Sequence, residues 1–228
     1  DLGRAGELAN RPDATFGARA HDAALYADPA QGVPVGSIGA GAGAVAGGLR
    51  GGVGSASVVL ADGSTLGALV VCNAAGSPLD ADTGELSGTR YGLPGEFDHL
   101  RPPSAEDLAA HQATTAEATT LNTTVAVIAT DVALDKARCT RMAMLGHDGL
   151  ARAVRPVHTL VDGDTVFAAA TGTRAQPDFA GMQQLLGAAA DAVARATAHA
   201  LLAATSASTP VGTWSAYRDR FPSAFDTG

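Results

Sequence analysis

Leu121-Asn122-Thr123-Thr124-Val125-Ala126-Val127-Ile128-Ala129-Thr130-Asp131 is the stretch on which the reading of this chain turns. From Thr124 to Asp131 the residues are mostly β-branched or small and apolar, which predicts a strand. Upstream, Ser57-Val58-Val59-Leu60 and Leu66–Val71 flank Ala61-Asp62-Gly63-Ser64. Two apolar runs around an Asp-Gly turn predict a β-hairpin. Downstream, Asp135–Val154 carries apolar positions at Ala137, Met142, Leu145 and Leu150 and predicts a helix. Thr165–Thr171 predicts a further strand after the turn Asp162-Gly163-Asp164, and Phe179–Ala204 a long alanine-rich helix with side chains small enough for close approach to a sheet. A helix is expected around Ala14–Ala27 and a shorter one over Ser104–Thr114, where Ser104 and Asp107 resemble a capping arrangement. The glycine-rich run 32–55 and the proline-rich stretch 76–120 read as irregular. Strand pairs alternating with helices imply a layered α/β arrangement, sheets covered by helices.

The same stretch carries chemistry. A threonine hydroxyl is a poor nucleophile without a proton acceptor nearby. If the Asn122–Thr123 peptide bond breaks, Thr123 gains a free α-amine, which titrates near pH 8 and is a usable base. One residue then supplies nucleophile and base. The polar segment 114–121 reads as an exposed loop suited to hold a scissile bond. Asn-Thr-Thr before a strand is also an ordinary turn leading into a strand.

The other polar positions carry two readings each. Asn73 follows the second hairpin strand, as a turn residue or as an amide donor to a developing oxyanion. Asp162 and Asp164 flank one glycine, as an Asp-Gly turn or as two carboxylates that orient an ammonium group and tune its pKa. His147 and His158 do not complete a metal site, and neither metal nor cofactor is expected. Gly39-Ala40-Gly41-Ala42-Gly43 follows no strand and lacks the acidic residue of a dinucleotide fingerprint, so it reads as close backbone packing.

Composition narrows the partners. The 228 residues carry a net charge of −8 and show no basic patch, which argues against nucleic acid. Lys136 is the single lysine, so a catalytic lysine from this chain is Lys136 or none. Cys72 and Cys139 are isolated, which points away from a disulfide scaffold and towards the cytoplasm. No apolar run reaches membrane-span length and the start carries no signal peptide. The chain begins Asp1-Leu2-Gly3-Arg4 without methionine, as expected of a piece of something longer.

Four segments in order are the most specific: Gly51-Gly52-Val53-Gly54-Ser55-Ala56-Ser57, Asn122-Thr123-Thr124, His147-Asp148-Gly149-Leu150-Ala151-Arg152, and Pro156-Val157-His158-Thr159 through Asp162-Gly163-Asp164-Thr165-Val166-Phe167. With Arg11-Pro12-Asp13 near the start and Tyr217-Arg218-Asp219 near the end, they resemble the DmpA family. That family holds β-aminopeptidases, the nylon-oligomer hydrolase and pantetheine-cleaving hydrolases. The resemblance implies a single αββα sandwich domain over 1–228 and a precursor that cuts itself at Asn122–Thr123 into 1–122 and 123–228. It implies Thr123 as nucleophile, Asn73 as oxyanion donor, and Asp162 and Asp164 as the carboxylates that hold and polarise the Thr123 amine. Family members act as amidases or aminopeptidases on small amide or peptide substrates without metal or organic cofactor. They assemble as homo-oligomers of cleaved heterodimers.

Two departures stand out. The family's further N-terminal portion, with extra strands and a tyrosine, is absent here and is expected as a partner segment of the same precursor. Several relatives carry a functional lysine near the position of Gly48. Here Arg50 is the nearest cation, able to stabilise charge but not to act as a base. An acyltransferase using the same acyl-threonine and an uncleaved, non-enzymatic module remain alternatives. D-amino acid, β-amino acid, short-amide and pantetheine-like substrates all stay open.

Overall fold

The computed structural model of the chain describes residues 4–7, 9, 11–114 and 122–225. In chain order its elements are helix α1 (Ala14–Leu25), strands β1 (Val45–Ala46), β2 (Leu49–Arg50), β3 (Gly52–Val59) and β4 (Thr65–Cys72), helix α2 (Ala105–Gln112), strand β5 (Val125–Val132), helix α3 (Lys136–Ala153), strand β6 (Thr165–Arg174), helix α4 (Phe179–Leu202), strands β7 (Ala207–Thr209) and β8 (Gly212–Trp214), and helix α5 (Tyr217–Arg220).

A four-stranded sheet in the order β3-β4-β5-β6 is the frame. β3 and β4 form the expected hairpin, with Asp62 Oδ1 accepting from Ser64 N at 2.8 Å and from Ser64 Oγ at 2.6 Å inside the turn. β4 and β5 pair antiparallel, β5 and β6 parallel. A parallel pair needs a crossover, and α3 supplies it. Strand alternation sends Leu66, Ala68, Val70 and Cys72 of β4, Ala126, Ile128 and Val132 of β5, and Val166 of β6 into the core beneath α3 and α4. The opposite face stays more open, with Val125 41% and Phe167 59% exposed. Of the layers implied by the family resemblance, the described residues form a helical layer and the sheet under it.

The helices start where short polar side chains cap them. Asp135 accepts from Arg138 N and Asp178 from Gly181 N, both at 2.8 Å, and Ser104 from Asp107 N at 3.2 Å. α4 lies close on its neighbours. A Cβ on Gly149 of α3 would stand 2.3 Å from the Ala190 carbonyl oxygen, and one on Gly54 of β3 only 1.9 Å from that of Ala196. This explains why β3 begins five residues earlier than expected, while the short β1 and β2 also fall in the run read as irregular. β3 starts at Gly52, inside the glycine-rich run, because backbone contact with α4 leaves no room for the side chains whose alternation would reveal a strand. The β7–β8 hairpin was likewise not expected from the sequence. The aromatic tail docks on the body of the same chain: Tyr217, Phe221 and Phe225 are buried, with Tyr217 5.1 Å from Phe221 and 5.9 Å from Phe225 between ring centroids.

The loop before α2 is tied to α4 by a buried ion pair. Glu96 receives Arg195 Nε at 2.6 Å and Nη2 at 2.9 Å, and contacts His199 Nε2 at 2.7 Å. Burial opposes ionisation of Glu96, but Arg195 and His199 outweigh it and hold the carboxyl down at about 2. The depressed value means that this stabilisation is present above the ordinary carboxyl range and is lost as pH falls through about 2. Glu96→Gln leaves the Arg195 guanidinium buried without its counter-charge, and is expected to cost about 3–5 kcal/mol in urea unfolding at pH 7. An unchanged unfolding midpoint would show that the pair contributes nothing net.

Candidate active site

Topology brings three strand ends to one edge of the sheet. β4 leaves the sheet there at Cys72, and β5 and β6 begin there. Asn73, Thr123, Asp162 and Asp164 each sit one or a few residues beyond those strand ends and therefore meet.

The segment 122–124 extends the ladder on both sides. Thr123 N–H donates to the Asn73 carbonyl at 2.9 Å, and Asn122 N–H to that of Val161 at 2.8 Å. Gly163 N–H donates to the Asn122 carbonyl at 3.0 Å, and Thr165 N–H to that of Thr124 at 2.9 Å. Asn122 is buried, 3% exposed, so its bond to Thr123 does not lie in an exposed loop as the sequence suggested; residues 115–121 lie outside the described part. The physical reason is pairing: Asn122 N–H bonds to Val161 and its carbonyl to Gly163 N–H, which draws the residue onto the segment before β6.

Thr123 Oγ1 donates to its own preceding carbonyl, Asn122 O, at 2.5 Å. The Thr123 hydroxyl and the Asn122 carbonyl are thus neighbours, and the Gly163 N–H on the same oxygen is a donor for any negative charge arising there. A Cβ at Gly163 would lie 2.8 Å from Thr123 Oγ1, which is why the residue between the two aspartates is glycine. The sequence pattern marked the turn but not this amide.

The aspartates differ. Asp164, its side chain 2% exposed, accepts from Thr124 N at 2.9 Å through Oδ1 and faces His158 Nδ1 at 2.8 Å through Oδ2. Asp162 accepts from Ala75 N at 2.8 Å through Oδ2, while its Oδ1 is buried without a hydrogen-bond partner in the structure. Burial, and then the neighbouring Asp164, raise the Asp162 pKa. A raised folded-state value means that wild-type stability falls as pH rises through it. In a Thr123→Ala background, Asp162→Asn is therefore expected to raise the melting temperature at pH 7, with the gain shrinking as pH falls towards 3.8. A lower melting temperature at pH 7 would contradict the buried-carboxylate account.

Asn73 Oδ1 accepts from Val45 N at 3.1 Å and from Arg4 Nη2 at 3.3 Å. Two donors on the oxygen identify the other end of the amide as NH2, the end able to donate. Arg4 was not singled out in the sequence, which offers no local signal for a contact 69 residues apart. Arg50, the nearest cation to Gly48 in sequence, is used on backbone. Its guanidinium donates to the carbonyls of Thr205 at 3.2 Å, Arg4 at 3.3 Å and Ala42, and it holds backbone together. Burial pushes the Cys72 thiol up to about 12, which keeps it from forming the reactive thiolate. His147 and His158 touch ring to ring, and no group of side chains among the described residues is arranged to hold a metal ion.

Residues 8–214 match the model of peptidase family S58. The chain is 44% identical over 237 residues to an uncharacterized aminopeptidase of Mycobacterium leprae, covering 97% of this chain and 63% of that protein. It is 46% identical over 226 residues to an uncharacterized aminopeptidase of Mycobacterium tuberculosis, covering 94% and 63%. The chain thus spans less than two thirds of the length of these relatives. Among solved structures it resembles a β-aminopeptidase of Burkholderia sp., with TM-score 0.61 and 25% identity over 84% of this chain and 54% of that one. It also resembles the L-aminopeptidase D-Ala-esterase/amidase of Ochrobactrum anthropi, described as a variant of the Ntn hydrolase fold, with TM-score 0.58 and 23% identity over 84% and 52%.

Proposed function

We propose, from the premise that this chain belongs to peptidase family S58, that it carries the nucleophile of an amide hydrolase that matures by cutting itself between Asn122 and Thr123. The observation that carries this reading is the Thr123 hydroxyl 2.5 Å from the Asn122 carbonyl oxygen, itself held by Gly163 N–H. In maturation the hydroxyl oxygen bonds to the Asn122 carbonyl carbon, the bond to the Thr123 nitrogen breaks, and that nitrogen takes up the proton. Water then cleaves the resulting ester, leaving Asn122 as a carboxylate and Thr123 as a free N-terminus.

In the mature form Thr123 Oγ1 attacks a substrate amide carbonyl while its α-amine takes the hydroxyl proton and passes it to the leaving amine. Asn73 donates to the oxyanion, and the Asp162–Asp164 pair holds the amine. Water releases the acyl group from Thr123. The aminopeptidase names of the relatives support a small peptide or amide as substrate. The reading extends to a homo-oligomer of cleaved heterodimers, 1–122 with 123–228, working in the cytoplasm without a cofactor, together with the N-terminal portion found in relatives. No described helix is long and apolar enough to cross a membrane.

Intact mass under denaturing conditions, with N-terminal sequencing of each species, is the test. Two pieces, one beginning Thr-Thr-Val-Ala, are expected. A chain that stays whole through prolonged incubation overturns the proposal.

A further inference from the structure

His158 is the one non-glycine residue with positive φ among the described residues, at +54°. A side chain makes that region costly, and it persists where surrounding contacts hold it. Two contacts hold this one. Nδ1 lies 2.8 Å from Asp164 Oδ2, and the ring of His147, projecting from α3, meets the His158 ring at 4.8 Å between centroids and 68° between planes. An ionised carboxylate only accepts, so Nδ1 carries the proton and donates it. The other Asp164 oxygen holds Thr124 N–H, the residue that follows the nucleophile.

We infer that His158 is a positioning residue, clamping Asp164 so that its second oxygen fixes Thr124, and with it Thr123, against the Asn122 carbonyl. The inference rests on the reading of Thr123 as the self-cleaving nucleophile and adds a division of labour between the two aspartates. Both Asp164 oxygens are filled by donors in the uncut chain, so within the pair that holds the amine Asp164 has the added task of alignment. Asp162, with Oδ1 buried and unpartnered, is left to receive the amine that cleavage sets free. Burial around Asp162, which raises its pKa, fits a carboxyl waiting for a cation. His147 supports the ring from the side, and its own pKa is lowered, by burial first and then by His158, which keeps it neutral beside the clamp.

The test is a double-mutant cycle on the maturation rate, read as the first-order appearance of the fragment beginning at Thr123, with melting temperatures alongside. His158→Gly keeps the left-handed backbone at no steric cost but removes the donor. His158→Asn tolerates the same φ and offers an amide N–H close to where Nδ1 stands. His158→Gly is expected to slow maturation about tenfold to a hundredfold, the range for a lost hydrogen bond to a charged group. His158→Asn is expected to restore most of the rate. In an Asp164→Ala background, His158→Gly should slow maturation no further, whatever it does to the melting temperature, because the group it positions is gone.

A His158→Gly chain that matures at the wild-type rate overturns the inference, as does an undiminished effect without Asp164. If His158→Gly gives no cooperative melt, the isosteric pair His158→Asn and His158→Asp carries the test. The first is expected to mature and the second, lacking the donor, to fail; equal rates overturn the inference. A wild-type chain that never cleaves removes the parent reading as well. Wild-type cleavage unaffected by His158→Gly removes this inference alone.

Discussion

Thr123→Ala is expected to leave the chain whole and to reduce amide hydrolysis about a millionfold, the scale on which removal of a catalytic nucleophile acts. The substitution removes a single hydroxyl. It is the hydroxyl that lies 2.5 Å from the Asn122 carbonyl oxygen, and no ester forms without it. The backbone contacts of Thr123, its N–H on the Asn73 carbonyl above all, do not depend on the side chain, so the fold should survive. Thr123→Ser keeps the oxygen but loses the branch that restricts χ1, so it should cleave and turn over more slowly. Denaturing mass spectrometry reads the first effect and amide hydrolysis by the purified protein the second. A Thr123→Ala chain that yields a fragment starting at residue 123, or that hydrolyses amides like wild type, would remove Thr123 from the mechanism. Turnover should also track the cleaved fraction, since an amide nitrogen is no base.

Asn73→Ala is expected to lower turnover about 100- to 1000-fold, the usual effect of losing one oxyanion donor. The structure adds a distinction between the two reactions. In the uncut chain the Asn122 carbonyl oxygen already receives Gly163 N–H, so self-cleavage should slow less than turnover. The structure also exposes a flaw in alanine as the probe. Asn73 Oδ1 accepts from Val45 N–H, and Val45 is 1% exposed. An orphaned buried N–H costs about 1–3 kcal/mol, so Asn73→Ala should also lower the melting temperature. Asn73→Asp keeps that acceptor while losing the NH2, and separates the two effects. Wild-type turnover in either variant would exclude Asn73 as the oxyanion donor.

Much of the site was legible because its chemistry is local in sequence. Asn122-Thr123-Thr124 and Asp162-Gly163-Asp164 are short runs whose residue types suggest a nucleophile and paired carboxylates before any contact is known. What sequence did not supply is which atoms face each other. The two aspartates look equivalent in sequence. In the fold, Asp164 has both oxygens occupied and Asp162 has one buried and unpartnered. Arg50 is the nearest cation to Gly48 along the chain, but its guanidinium is spent on backbone carbonyls, while Arg4 reaches Asn73. His158 stands in a family motif and as an incomplete metal ligand in sequence, but its positioning role is not legible there, because its left-handed backbone and its carboxylate partner are tertiary facts.

The sequence by itself determined the alternation that makes β4 and β5 strands, the Ser104 cap that starts α2, and the order of motifs that identifies the family. These rest on side-chain type and spacing, which act over a turn of helix or a pair of strand residues. Only the tertiary structure decided that glycine-rich 52–54 is a strand, since the reason is the backbone of α4 lying against Gly54. It alone also moved the Asn122–Thr123 bond from an exposed loop to a buried, doubly hydrogen-bonded edge of the sheet. Both follow from contacts between segments far apart in the chain, and local periodicity carries no record of those.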